Sequence, residues 1–206
     1  MISVGVDEAG RGPLAGPVAV GIVAVLEEFD VAAEFPGVAD SKALSEKKRD
    51  KLFEMLAARA GRAGAGDPVF TVEFGSATEI DERGIAVVIR ELVARGVRAL
   101  ATYQGEALLG PARPRLDRIR ILLDGALRAP EEYDQETVIG GDASVPLISL
   151  ASIAAKVSRD RLMTALAEEY PHYGFDKHKG YGTRAHYAAL AKHGLSPIHR
   201  RTFIRW

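Results

Sequence analysis

Nine apolar or glycine residues in unbroken succession, Val18 to Leu26, limit what this chain can become more than any other stretch. A half-buried strand would alternate apolar and polar residues, and an amphipathic helix would turn polar every third or fourth position. A helix needs about 20 apolar residues to cross a bilayer, so nine are too few. What remains is a strand covered on both faces, and such a strand requires a layer of other elements above it and below it. With 206 residues, 47% of them hydrophobic, the chain can supply those layers around one core.

The flanking sequence names the layers. Ile2, Val4 and Val6 alternate and predict a strand ending in Asp7-Glu8, before a turn or loop at Gly10-Arg11-Gly12-Pro13. Ser45 predicts a cap for a helix to about Ala60, and Val69 to Phe74 a third strand. Thr78 with Asp81 reads as a capping box for a helix through Arg95, stopped by Gly96. Leu108 to Arg118 is expected to be a connection. Ile119 to Leu123 predicts a strand that delivers Asp124, and Val145 to Ile148 a short strand. Helices are expected from about Ala151 to Tyr170 and from Thr183 to His193. Strands early and helices interleaved and late make a mixed α/β layer fold.

Cysteine is absent, which excludes disulfides, thiolate zinc sites and cysteine nucleophiles. Met1 to Val4 carries neither the basic start nor the apolar stretch of a signal peptide, so a soluble cytoplasmic protein is expected. The net charge of −1 hides a split: residues 1–155 hold 17 Lys and Arg against 24 Asp and Glu, residues 156–206 hold 10 against 4. A basic last quarter beside an acidic body suits a protein that grips phosphates and holds cations. Solvated surface charge would look the same. The five histidines, His172, His178, His186, His193 and His199, offer no short ligand pair on one helical face.

Four acids occupy unusual places. Asp7 and Glu8 follow an inner strand, Asp124 ends an apolar run, and Asp142 follows two glycines. Each alone reads first as a turn or cap residue. Together they repel unless a cation sits among them, and an all-oxygen set suits Mg²⁺ or Mn²⁺. Neighbours on a flat strand point to opposite faces, so Asp7 and Glu8 share a site only if the strand breaks there or Glu8 contributes its backbone carbonyl.

Val6 to Val18, reading VDEAGRGPLAGPV, resembles the N-terminal signature of ribonuclease HII. Asp40-Ser41-Lys42 with Leu44-Ser45, Asp124-Gly125, Gly141-Asp142-Ala143, Ser149 to Asp160, Tyr173 to Thr183 and Ser196 to Arg201 are similar to its later blocks, in order. The segment Glu79 to Ile85 lacks the Asn and Ala-Thr pair of that family, and Arg113 to Arg120 is unusually rich in Arg and Pro. The resemblance implies a ribonuclease H-like fold, a central mixed β-sheet flanked by helices. It also implies one catalytic domain over 1–206, with roughly 165–206 as a basic helical subregion.

The same resemblance implies an endonuclease that cuts the RNA strand of RNA/DNA hybrids and cuts 5′ of ribonucleotides embedded in DNA. Asp7, Glu8, Asp124 and Asp142 would be the catalytic residues and would hold two divalent ions, Mg²⁺ or Mn²⁺, leaving 5′-phosphate and 3′-hydroxyl ends. Gly10 and Gly12 would let backbone approach the 2′-hydroxyl, Arg11 would hold a neighbouring phosphate, and Tyr181 would stack on the neighbouring deoxyribose. Lys42, Lys156, Arg159, Lys179, Arg200 and Arg201 are candidate phosphate contacts on the hybrid or on ribonucleotide-containing duplex DNA. A monomer is expected. The last residues, Phe203-Ile204-Arg205-Trp206, are too short to support binding to a sliding clamp. Two other classes remain open at this point: a non-catalytic binder that kept the scaffold, and a resolvase- or transposase-like nuclease of the same fold type.

Overall fold

A computed structural model describes residues 1–40, 44–60, 66–100 and 118–205. Five strands form one sheet in the order β3-β2-β1-β4-β5: β1 (Ile2–Ala9), β2 (Val18–Leu26), β3 (Val69–Gly75), β4 (Ile119–Asp124) and β5 (Asp134–Val138). β1 pairs antiparallel with β2, and β2 with β3, while β4 runs parallel to both β1 and β5. The described helices are α1 (Val31–Glu34), α2 (Glu46–Ala60), α3 (Ala77–Arg83), α4 (Ile85–Ala99), α5 (Gly141–Ser144), α6 (Pro146–Glu169), α7 (Phe175–His178) and α8 (Arg184–His193). None of them is long and apolar enough to cross a membrane.

β2 is covered on both faces, as its composition requires. Val18, Val20 and Ile22 pack on one face with Val88, Leu92 and Val93 of α4. Val23 and Val25 pack on the other with Leu56 of α2 and Leu150 and Ala154 of α6. α6 lies almost on the backbone of the sheet. A Cβ at Gly5 would stand 2.4 Å from the Leu147 carbonyl oxygen, and one at Gly21 would stand 2.2 Å from that of Ala151. Only residues without side chains admit that approach. A third cluster, with Leu14, Met163, Phe175 and Leu190, fastens the C-terminal helices to the far end of α6.

Several expectations need correction. The capping box is made by Ser76 with Glu79, not by Thr78 with Asp81. Gly84, at φ +82°, breaks the expected single helix into α3 and α4, because it adopts a conformation closed to other residues. Gly96 does not stop α4, which continues to Ala99; a Cβ there would lie 2.2 Å from Ile22 Cδ1, so its smallness serves contact with β2. Val145 to Ile148 is not a strand. Val145 is the N-cap of α6 and Pro146 its first residue, the position where a missing N–H costs nothing. The residues of β5 carry no strand signal of their own, since it is a polar edge strand without apolar alternation. The connection expected at Leu108 to Arg118 falls outside the described residues, save for Arg118.

Candidate active site

The acids gather where β1 and β4 end. Val6 is level with Leu123 in the parallel pair, so the next residues, Asp7 and Asp124, stand side by side. Asp142 joins them from α5, its amide donating to Asp124 Oδ1 at 3.2 Å. Ser149 of α6 donates its hydroxyl to the Asp142 carbonyl at 2.8 Å and so ties α5 down. β1 does not break at Glu8. Asp7 and Glu8 keep their places opposite Gly21 and Val20, and the two carboxylates part. Asp7 turns inward to Ser152 of α6, while Glu8 accepts from Arg11 Nη1 at 3.1 Å.

Asp7 is buried, and its carboxyl is pushed up to about 7. Burial is the main cause; the nearby charges of Glu8 and Asp124 add to it, and the Ser152 hydrogen bond opposes it. Among the described residues no lysine or arginine pairs with Asp7 or Asp124. Nor do any three acids there converge as closely as the ligands of one ion. Asp7 Oδ1 instead accepts the Glu8 amide at 2.8 Å. An all-oxygen set in which Asp7 and Asp142 are buried and Glu8 and Asp124 half-buried, with Glu8 and Asp124 repelling Asp7, fits a hard divalent cation.

Beside the acids lies a cavity of about 400 Å³ lined by Glu8, Gly10, Arg11, Gly12, Arg49, Ser152, Lys156 and Tyr181, with Ala9 and Ile153. The loop from Gly10 to Pro17 forms one wall, and two buried guanidinium groups hold it from behind. Arg200 donates to the carbonyls of Gly10, Arg11 and Gly16 at 2.7, 3.0 and 2.9 Å. Arg159 donates to those of Pro17 and Ala15 at 2.8 and 3.3 Å. A Cβ on Gly10 would overlap the Arg159 guanidinium, 1.9 Å from Nε, and its φ is +83°. Tyr181 also lines the cavity, 43% exposed, with Lys156 Nζ and Arg159 Cζ each 5.9 Å from its ring centre.

The expected phosphate contacts therefore divide. Lys156 lines the cavity and pairs with Asp160 at 2.9 Å. Arg11 is exposed at the loop's tip. Arg159 and Arg200 are fully buried, so as placed they meet backbone carbonyls and no phosphate. Lys179 donates to Thr164 Oγ1 at 3.1 Å and to the Asp176 carbonyl, outside the cavity. Arg201 is exposed beside Asp81, which accepts its amide at 2.7 Å. Lys42 lies outside the described residues. Arg49 of α2 and Ser152 of α6 also line the cavity, and Ser152 bonds Asp7; nothing in the sequence marks either one, because helix periodicity does not separate them from their neighbours.

A mixed five-stranded sheet, flanked by helices and carrying acids at adjacent strand ends, defines a ribonuclease H-like hydrolase. The ribonuclease HII family model matches residues 4–206, and the chain belongs to that family. It is 43% identical over 200 residues to a ribonuclease HII of Endomicrobium trichonymphae, covering 97% of this chain and 83% of the relative. It is 42% identical over 205 residues to one from Neisseria meningitidis serogroup C, covering 98% and 92%. Among solved structures it resembles ribonuclease H2 of Pyrococcus horikoshii, with TM-score 0.69, 29% identity and 98% and 93% of the two chains covered. It shares its fold with a ribonuclease HIII solved with Mn²⁺, at TM-score 0.62 and 16% identity over 94% and 63%. The protein is a ribonuclease H that cleaves the RNA strand of RNA/DNA hybrids.

Proposed function

We propose that this enzyme also cuts 5′ of single ribonucleotides embedded in DNA, with the whole chain acting as one catalytic domain. The observation that carries the reading is the cavity itself: Gly10, Gly12 and Tyr181 all line it, together with Glu8. Only the 2′-hydroxyl separates a ribonucleotide from its DNA neighbours, so a reader must bring backbone close to one sugar. Gly10 and Gly12 permit that approach. Tyr181 offers a flat face to the next sugar, where a missing 2′-hydroxyl leaves room for the ring. Arg11, Lys156 and Arg49 supply positive charge around the cavity for the flanking phosphates. Lys179 and Arg201 would contact the duplex farther away, and Lys42 is a further candidate phosphate contact.

Asp7, Glu8, Asp124 and Asp142 would hold the divalent ions, Mg²⁺ or Mn²⁺. When bound, such ions lower the pKa of an attacking water and stabilise the departing 3′-oxygen, giving 5′-phosphate and 3′-hydroxyl products. The chain's own part is placement. Ser152 holds Asp7, the Asp142 amide holds Asp124 Oδ1, and Arg11 keeps Glu8 at the cavity rim. The test is Asp124→Asn on a labelled duplex with one ribonucleotide. Cleavage should fall to background while duplex binding persists or tightens, since negative charge is removed. Wild-type turnover with Mg²⁺ would take Asp124 out of the mechanism.

A further inference from the structure

Three histidines behind Tyr181 are joined in a way that dictates the position of every ring proton. The Ser196 amide donates to His199 Nδ1 at 2.9 Å. An amide only donates, so Nδ1 is the bare nitrogen of a neutral ring and the proton sits on Nε2. His199 Nε2 faces His186 Nε2 at 3.0 Å, which must then be bare. His186 consequently carries its proton on Nδ1, 2.9 Å from the Tyr181 carbonyl, which only accepts. Reasoning backward from that carbonyl yields the same assignment, so the two ends agree. His178 is fixed likewise. Its Nδ1 accepts the Gly180 amide at 3.2 Å, and its Nε2 therefore donates to the Tyr173 carbonyl at 2.7 Å. Its ring stacks on His186 with centroids 4.5 Å apart.

We infer that His186 and His199 are positioning residues for Tyr181, acting through a one-way hydrogen-bond chain of neutral imidazoles from the Ser196 amide to the Tyr181 carbonyl, with His178 stacked on His186 and bonded to the Gly180 amide beside the chain. This rests on Tyr181 being the platform for the sugar beside the ribonucleotide. The tyrosine's side chain is open to the cavity, but its backbone is clamped on every side. Its amide donates to the His178 carbonyl at 2.9 Å, and its carbonyl also accepts from Thr183 at 2.8 Å. Gly180, just before it, accepts the Leu14 amide on its carbonyl at 2.9 Å, tying the turn to the Gly10–Pro17 loop. His186 and His199 are buried against Phe175, and burial lowers the pKa of both, which keeps the rings neutral. A ring proton added to either would set N–H against N–H and break the chain. Holding the platform in place before substrate arrives spares the ordering cost at binding.

Two measurements test the inference. The first needs no substitution: ring-nitrogen NMR shifts at neutral pH should place protons on His199 Nε2, His186 Nδ1 and His178 Nε2. Any other pattern overturns the chain. The second compares cleavage of a single-ribonucleotide duplex with cleavage of a uniform hybrid. His186→Leu should lower that ratio several-fold, toward the value of Tyr181→Ala. His186→Asn, whose amide can still donate to the Tyr181 carbonyl, should recover most of it. In a Tyr181→Ala background His186→Leu should change the ratio no further. Equal losses on both substrates in His186→Leu and His186→Asn would reduce the histidines to core packing. If Tyr181→Ala lowers the ratio and His186→Leu does not, the platform stands and the positioning role falls. If Tyr181→Ala leaves the ratio unchanged, the platform reading falls; the histidine chain is then judged by whether His186→Leu shifts the Tyr181 amide resonance, and an unmoved resonance overturns it.

Discussion

Arg200 and Lys156 are both cations beside one loop, and they spend their charge differently. Arg200 is wholly buried, with its guanidinium pushed down to about 9, chiefly by desolvation and also by the charge of Arg159. Its donors are used on three carbonyls of the loop. Lys156 stands in the cavity wall, paired with Asp160 and beside the Tyr181 ring. Lys156→Ala should weaken duplex binding and flatten its salt dependence by about one unit of slope. Arg200→Ala should leave that slope alone and lower stability by about 3 kcal/mol, because buried carbonyls lose their donor. Binding titrations over a salt series, with denaturant unfolding of each variant, separate the two. A slope flattened equally by Arg200→Ala would return it to the phosphate contacts.

At the scale of elements, the seating of α6 on β1 and β2 decides whether the acids meet. The helix carries Ser152 to Asp7 and Ser149 to Asp142, and it reaches them because Gly5 and Gly21 let it lie against the sheet. Gly21→Ala would place a methyl 2.2 Å from the Ala151 carbonyl, an obstacle of backbone that cannot rotate away. The variant should lose about 2 kcal/mol of stability from overpacking. It should also lose cleavage activity out of proportion to its unfolded fraction, since the Ser152 hydroxyl is carried off Asp7. Thermal unfolding and turnover measured at a temperature where the variant remains folded test this. Full turnover per folded molecule would show that the seam tolerates a shift.

For the whole molecule, the basic C-terminal quarter is less of a surface feature than its charge suggests, since Arg159 and Arg200 lie inside. The same quarter holds a pH-sensitive core. His199, 2% exposed, has its pKa lowered to about 4, mainly by burial and then by His186. Its folded pKa lies below the unfolded value of about 6.5, so the unfolded chain binds the extra proton between those pH values. The contribution is whole above pH 6.5 and is lost as pH falls toward 4, about 3 kcal/mol in all. The raised pKa of Asp7 works in the opposite sense, so the test is a difference. The unfolding free energy of wild type minus that of His199→Gln should shrink as pH falls from 7 to 4. A difference that stays constant would mean His199 is not held neutral.

The sequence by itself determined whatever depends on near neighbours. Val18 to Leu26 could only be a doubly covered strand, and β2 has those bounds. The last described long helix ends at His193 before Gly194, as its residues predict, and Asp124 closes an apolar strand. Caps and periodicity are properties of a few consecutive residues, so they are legible without the fold. Tertiary structure decided the rest. β5 is a strand because β4 offers it an edge, not because of its own pattern. Gly96 reads as a stop until Ile22 is seen against it. Arg200 reads as a surface cation, yet its partners are Gly10 and Arg11, some 190 residues away. The histidines show no ligand spacing along the chain, and only folding brings the rings of His186 and His199 together. Chain order carries no record of such distant pairings; they exist once the hydrophobic layers have closed and the buried donors must find acceptors.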